Sequence, residues 1–239
     1  MNMTYAALAA GLIVAGVFIW KRDKHGGRLT LGLKTAASVL FLLTAVFAYF
    51  DNGRIFIAVA FLVAFPAAFA FSIAGDVLLD AQITAPESKR RSLITAGMVM
   101  FTLAHIGFST ALLAGGLAQM TWWVAVFTPL TAVAMYAVAR FALKCDFKGY
   151  HASALAYSAA LNLTLFLSLE TLIWGATFNY TDVPVFQIML FSGVFLFWLS
   201  DAILCQTLFG GKDSKLYIAA NHATYYAGQF LIAFSVLFM

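Results

Sequence analysis

Long apolar runs constrain this chain more than any other feature. Of its 239 residues, 63% are hydrophobic and only 10% are charged, whereas about a quarter of the residues of a soluble domain are charged. A helix that crosses a bilayer needs about 20 apolar residues, and such runs recur along the whole chain. The composition therefore predicts a polytopic membrane protein. The net charge of +4 is interpreted as a topology signal, and no nucleic-acid partner is expected.

Eight stretches qualify as helical membrane spans. They are Thr4–Trp20, Leu29–Phe50, Ile55–Leu79, Leu93–Leu113, Trp122–Leu143, Ala152–Trp174, Val183–Leu208 and Leu216–Phe238. The first stretch is predicted to be a retained span, because its basic residues follow the apolar run instead of preceding it. The sequence thus predicts an all-α membrane bundle of eight transmembrane helices, forming one domain over residues 1–239.

The basic residues predict the orientation of this bundle. Of the 14 Lys and Arg residues, all but two lie in alternate loops or at the span ends beside them. The opposite loops carry Arg54, and Lys34 lies inside the second span. By the positive-inside rule the basic loops face the cytoplasm, so that both termini face outward. We expect a multi-pass protein of the inner membrane.

Polar residues collect at one depth of the predicted bundle. Asp76, Asp80, Ser200 and Asp201 lie near the cytoplasmic ends of the third and seventh spans. The cytoplasmic halves of other spans carry Lys34, Tyr157, Asn162, Asn221, His222 and Tyr225, while His105 and Gln229 lie closer to the middle. Depth alone therefore allows a shared pocket, although the in-plane positions of the helices do not follow from sequence.

Each polar residue has a structural and a functional interpretation. A carboxylate inside a span is costly and usually faces the bundle interior or a wet cavity, which favours a functional role for Asp76 and Asp201. Asp80 lies so close to the loop that an interfacial position is expected for it. Lys34 either extends to the headgroups or binds a phosphate. For His105 a functional role is favoured over a buried, hydrogen-bonded histidine.

Two aspartates in a low-dielectric site offer an acid and a base together, because both cannot easily ionise at once. Three protein classes fit this pair: an intramembrane hydrolase, an aspartyl protease and a proton-coupled transporter. A presenilin-type protease motif would require Gly where this chain has Ile73. A zinc-dependent lipid hydrolase would require a three-histidine site, and the four histidines show no such spacing.

Short motifs in several spans resemble those of the YhhN family of eight-span membrane proteins, which includes the lysoplasmalogenases. The motifs are Lys34, Gly75-Asp76-x-x-Leu79, His105, Ser200-Asp201 and Tyr226-x-x-Gln229-x-Leu231-Ile232. Two positions depart from the family pattern, because Thr35 stands where Pro is common and Phe108 where Tyr is common. The departures do not affect the aspartates.

The resemblance implies hydrolysis of the vinyl ether bond of lysoplasmalogens, with Asp76 and Asp201 as catalytic acid and base in an unassigned order. Lys34 is expected to bind the substrate phosphate. The other expected substrate-binding residues are His105, Tyr157, Ser200, Tyr226, Gln229 and Asp80. The expected partners are a lysophospholipid substrate and membrane lipids, and the reaction requires no metal or organic cofactor. A transporter that uses the aspartate pair as a proton relay is the alternative.

Overall fold

The computed structural model describes residues 2–53, 58–178 and 185–239, with only the backbone described for 175–178. Within these ranges the chain forms eight α-helices and no strand. They are α1 (Met3–Lys21), α2 (Arg28–Asn52), α3 (Val59–Thr84), α4 (Glu87–Ala114), α5 (Trp122–Ala137), α6 (His151–Phe178), α7 (Val185–Phe209) and α8 (Lys215–Ser235). The all-helical prediction is confirmed. Arg54 and the predicted span starts Ile55 and Val183 lie outside the described residues.

Seven of the eight helices in the described ranges, α1 to α7, are long and apolar enough to cross a membrane when α5 is counted with the helical residues that continue it to Ala142. The sequence of α8 is less apolar because Asn221, His222, Tyr225 and Gln229 recur along it. This composition supports a multi-pass membrane protein. The eighth span and the outward position of both termini stay predictions.

The polar residues of α8 face the interior, because α8 packs against α7, α1 and α2. Two glycines allow α7 and α8 to approach at backbone contact. A Cβ atom added to Gly228 would lie 2.6 Å from the carbonyl oxygen of Gly193, and one added to Gly193 would lie 2.8 Å from that of Gly228. Any larger side chain at these positions would push the helices apart. The close contact holds α8 against α7.

A cluster of phenylalanines fills the part of the bundle where α2, α3 and α4 meet. The Phe69 ring lies 5.3 Å from Phe41, 5.3 Å from Phe65 and 5.1 Å from Phe108, measured between centroids. The Phe69 contacts with Phe65 and Phe108 are edge-to-face arrangements that aromatic rings favour. This packing fixes α3, which carries both Asp76 and Asp80.

Helix α5 lies at the periphery and packs chiefly against α6. Its outward side chains are well exposed, with Leu130 at 58% and Val133 at 55%. The last turn of α5 continues as a π-helical segment, Val138–Ala142. Because α5 has few neighbours, a space remains between α5, α6 and α7.

Candidate active site

A polar cavity of about 160 Å³ lies where α3 and α7 end and where α2 and α8 begin. Three basic side chains line it: Arg22, Lys24 and Lys34. Four acidic side chains line it as well: Asp76, Asp80, Asp201 and Asp213. The structure therefore brings the three predicted aspartates and Lys34 to one cavity, from helices that are distant in sequence.

Asp76 is held by three partners inside the bundle. Its side chain is only 2% exposed, and Lys34 Nζ lies 3.2 Å from Asp76 Oδ1. The hydroxyls of Ser38 and Tyr225 donate hydrogen bonds to Asp76 Oδ2, at 2.6 Å and 2.7 Å. Lys34 and Ser38 are four residues apart on α2, so that they lie on the same helix face. The cation and the two hydroxyl donors each favour the ionised form of this carboxyl group.

Asp201 has a different environment. The hydroxyl of Tyr157 donates a hydrogen bond to Asp201 Oδ2. Within the described residues, no Lys, Arg or His forms an ion pair with this carboxyl group. Lys34 thus balances the charge of Asp76, whereas Asp201 has no such cation in the described residues.

A second, apolar cavity of about 540 Å³ lies between α5, α6 and α7. It borders Met135 on α5, Leu161 and Phe166 on α6, and Trp198 on α7. Leu79, Phe101, Asp201, Leu204 and Leu208 line both this cavity and the polar one. Asp201 is thus the one ionisable side chain among the five residues that the two cavities share. A ligand with a polar head and one apolar chain fits this arrangement, with the junction of head and chain beside a carboxyl group.

The interfacial depth expected for Asp80 stays a prediction, but its side chain is buried inside the bundle. Its side chain is 2% exposed, and its Oδ1 lies 3.1 Å from Nη2 of Arg22, whose side chain is 6% exposed. Arg22 follows directly on α1 and lies over the end of α3. Burial of the carboxylate is possible because this cation balances its charge.

Lys34 does not extend to the headgroups, because its side chain is 7% exposed and its ammonium contacts Asp76. This excludes the interpretation in which the Lys34 side chain extends to the lipid headgroups. Phosphate binding by Lys34 stays a prediction, since Lys34 lines the polar cavity and an ammonium carries three donors.

The remaining predicted site residues lie around the aspartates at different depths. Ser200 lines the polar cavity, and Tyr157 lines the apolar one. Tyr226 donates a hydrogen bond to the backbone oxygen of Lys34 at 3.1 Å, and Gln229 Nε2 donates to the Tyr225 hydroxyl at 3.2 Å. Neither Tyr226 nor Gln229 lines either of these two cavities. Both act on residues that contact Asp76.

His105 also lies behind the cavities. Its Nδ1 is 3.2 Å from the Thr164 hydroxyl, and its ring packs edge-on against Phe197, with 4.8 Å between centroids. The Tyr157 ring lies 5.8 Å away. His105 is 1% exposed and lines neither of the two cavities. Its position fits packing behind Tyr157 better than contact with a ligand.

Sequence reasoning missed Ser38 and gave Arg22 and Tyr225 no role in the site. Helical spacing carries a signal for Ser38 and Tyr225, because Ser38 lies four residues after Lys34 and Tyr225 lies four residues before Gln229. No comparable signal exists for Arg22, which lies among the basic residues of a loop. In residues 2–53, 58–178 and 185–239, no three His, Cys, Asp or Glu side chains converge as a metal-binding group.

Comparison with known proteins gives a family for the chain. Searches of curated proteins and of solved structures each found no match. The model of the YhhN family matches residues 29–236, which include both aspartates and exclude Arg22 and Lys24. Because the match covers most of the 239-residue chain, the protein belongs to the YhhN family.

Proposed function

We propose that the protein is an intramembrane hydrolase that cleaves the vinyl ether bond of lysoplasmalogens. One observation carries the proposal: Asp201 lines both the polar cavity and the apolar cavity, and a second carboxyl group, Asp76, lines the polar cavity. A single-chain ether lipid likewise has a polar part and an apolar part, because its vinyl ether joins the apolar chain to the polar glycerol. Membership in the YhhN family supports this proposal but does not by itself identify the substrate.

The chemistry of a vinyl ether requires an acid and a base near the double bond. A proton adds to the alkene carbon that does not carry the ether oxygen. An oxocarbenium ion then forms at the carbon that does carry it. Water attacks that carbon and loses a proton, which gives a hemiacetal. The hemiacetal then breaks its bond to the glycerol oxygen, releasing a fatty aldehyde and glycerophosphoethanolamine or glycerophosphocholine. Positioned acid–base groups accelerate such steps.

The environments of the two aspartates suggest their roles. Asp201 is proposed as the acid, because a half-buried carboxyl group without a paired cation is less costly in its neutral form. Asp76 is proposed as the carboxylate, because Lys34, Ser38 and Tyr225 stabilise its charge. A fixed negative charge stabilises the oxocarbenium ion, and the same carboxylate accepts the proton of the attacking water.

The other residues are proposed to position these two groups and the substrate. Tyr157 orients the Asp201 carboxyl group through its hydroxyl, and Ser200 contributes to the cavity wall. Tyr226 and Gln229 hold Lys34 and Tyr225 in place, while His105 supports Tyr157. Asp80 acts through Arg22. No step of this reaction is assigned to a metal or an organic cofactor.

The proposed setting is the inner membrane. In the eight-span topology with both termini outside, the ends of α3 and α7 face the cytoplasm, and so does the mouth of the polar cavity. The aldehyde chain then lies in the bilayer half beside α5, and the glycerophosphate product leaves toward water. Surrounding membrane lipids and the lysophospholipid are the partners.

The test of the function is a single-turnover assay on protein purified in detergent. A lysoplasmalogen should yield fatty aldehyde, whereas the matched lyso-lipid with a saturated ether should yield none. In D₂O the aldehyde should carry one deuterium beside the carbonyl group, because the acid protonates that carbon. Free aldehyde incubated without protein gives the background exchange. If the protein releases no aldehyde but carries out proton-coupled uptake in liposomes, the transporter alternative is correct.

A bulky residue in the apolar cavity should shorten the chain that the enzyme accepts. Ala134 on α5 lines this cavity, whereas its neighbour Val133 does not and is 55% exposed. Ala134→Trp is expected to raise KM for long-chain substrates about tenfold or more, since one missing methylene contact alone changes discrimination by about 1–3 kcal/mol. Short-chain substrates should be little affected.

The control for this change is Val133→Trp, which adds the same side chain to the outward face of α5. It should leave the chain-length profile of KM as in the wild type. Equal profiles for both variants would show that the substrate chain does not occupy the space between α5, α6 and α7.

A further inference from the structure

We propose that Arg22 and Lys24, at the mouth of the polar cavity, bind the phosphate group of a lysophospholipid headgroup. This inference rests on the proposed function and names the residues that recognise its substrate. Both residues precede residue 29, where the family match begins. The site therefore belongs to the part of this chain that lies outside the matched region.

Arg22 is a buried cation whose hydrogen-bonding capacity is only partly used. Its residue is 5% exposed, and its closest acidic contact is the single 3.1 Å approach to Asp80. Arg22 Nη1 donates to the backbone oxygen of Asp23. Arg22 Nε and Asp80 Oδ1 are both buried without a hydrogen-bond partner in the described structure. The pair is thus a charge contact without the paired geometry that a guanidinium forms with an oxyanion, which leaves a donor for phosphate.

Lys24 adds a second, accessible cation at the same mouth. Its Nζ lies 3.7 Å from Asp213 Oδ2, and the two side chains are 56% and 62% exposed. Exposed pairs of this kind contribute about 0–1 kcal/mol, so an incoming phosphate can replace the contact at little cost. Asp213 would then face the positively charged end of the headgroup.

The turn that carries these cations is fixed before a ligand arrives. The backbone amides of His25 and Gly26 donate to Asp23 Oδ1, at 2.9 Å and 3.1 Å. Gly26 has a φ of +62°, a conformation that glycine adopts without strain. A preformed turn lowers the ordering cost of binding.

The depth of Arg22 matches the length of the substrate. Asp80 follows Asp76 by four residues on α3, a rise of about 6 Å, and Arg22 contacts Asp80. Its guanidinium therefore lies about one helical turn nearer the mouth than Asp76. The glycerol carbons separate a vinyl ether from its phosphate by a similar length. A vinyl ether between Asp76 and Asp201 thus places the phosphate beside Arg22, while Lys34 stays with Asp76.

The experiment measures binding without catalysis, so that its result does not depend on the hydrolase activity. The probes are a saturated 1-O-alkyl lysophosphoethanolamine and the 1-O-alkylglycerol with the same chain, titrated into protein in detergent. The phosphate-bearing probe should bind wild type about tenfold more tightly, a ratio within reach of one hydrogen bond to a charged group. Lys24→Gln should lower this ratio several-fold without changing alkylglycerol affinity.

Arg22 is tested as the double variant Arg22→Gln with Asp80→Asn, which removes both buried charges and leaves no unpaired ion. The ratio should fall to near one in this variant and stay at the wild-type value in Lys89→Gln, an exposed lysine outside the cavity. The proposal is overturned if both site variants keep the wild-type ratio, or if Lys34→Met alone abolishes it. Inorganic phosphate alone should bind far more weakly than the lipid probe. Equally tight binding that the same variants abolish would make this a free-phosphate site and would overturn the lipid assignment.

Discussion

Asp201→Asn is expected to abolish aldehyde release from a lysoplasmalogen, with kcat lowered by about 10²–10⁴-fold, the contribution of a positioned acid. The amide cannot donate the proton that the alkene carbon requires. It can still accept the hydrogen bond from Tyr157, so that the fold and the affinity for a saturated ether probe should be retained. The measurement is kcat by aldehyde release, with Tm and probe affinity as checks on folding.

Asp76→Asn should reduce kcat by a similar factor, since a neutral amide neither stabilises an oxocarbenium ion nor accepts a proton from water. The control is Asp146→Asn, which changes an exposed aspartate in the loop between α5 and α6 and should leave kcat unchanged. Full activity in folded Asp201→Asn would remove this residue from the reaction. Full activity in folded Asp76→Asn would assign the charge stabilisation to another group.

Most of the fold follows from sequence because one property, membrane-length apolarity, recurs in seven of the eight helices of the described ranges. Helix α8 is the instructive case. Its sequence is interrupted by Asn221, Tyr225 and Gln229, yet it forms a helix because it lies inside the bundle, where Gly228 meets Gly193 and where its polar groups find partners. Its hydropathy alone does not distinguish an internal polar helix from a marginal span.

The common depth of the site residues could be predicted from the sequence, whereas the contacts between their side chains could not. Lys34 lies near the start of α2 and Asp76 near the end of α3, so the common depth of the two residues in oppositely directed spans follows from the rise per residue. Their contact depends on how α2 and α3 are rotated and packed, which a single sequence does not specify. The same limit applies to the ion pair between Arg22 and Asp80. In the sequence Arg22 resembles any other basic residue of a loop, and its role becomes visible only when the end of α3 is placed beside it.

Lys34→Met is expected to destabilise the protein by about 3–5 kcal/mol, because it leaves the buried Asp76 carboxylate without its cation. The hydroxyls of Ser38 and Tyr225 remain, but they cannot replace a full charge. The measurement is the free energy of unfolding in detergent, obtained by titration with a denaturant that unfolds helical membrane proteins. Lys148→Met is the matched control, because Lys148 pairs with Asp146 at 3.8 Å on the surface, with side chains 90% and 57% exposed. It should change stability little.

A double variant distinguishes loss of charge balance from loss of packing. Asp76→Asn removes the charge that Lys34 balances, so combining it with Lys34→Met should recover most of the lost stability, and the two changes should be strongly non-additive. Recovery of stability in this double variant would support Lys34 as the counter-ion of Asp76. If Lys34→Met is instead as stable as wild type and loses only its preference for the phosphate-bearing probe, Lys34 binds the phosphate. The assignment of the phosphate to Arg22 and Lys24 would then be wrong.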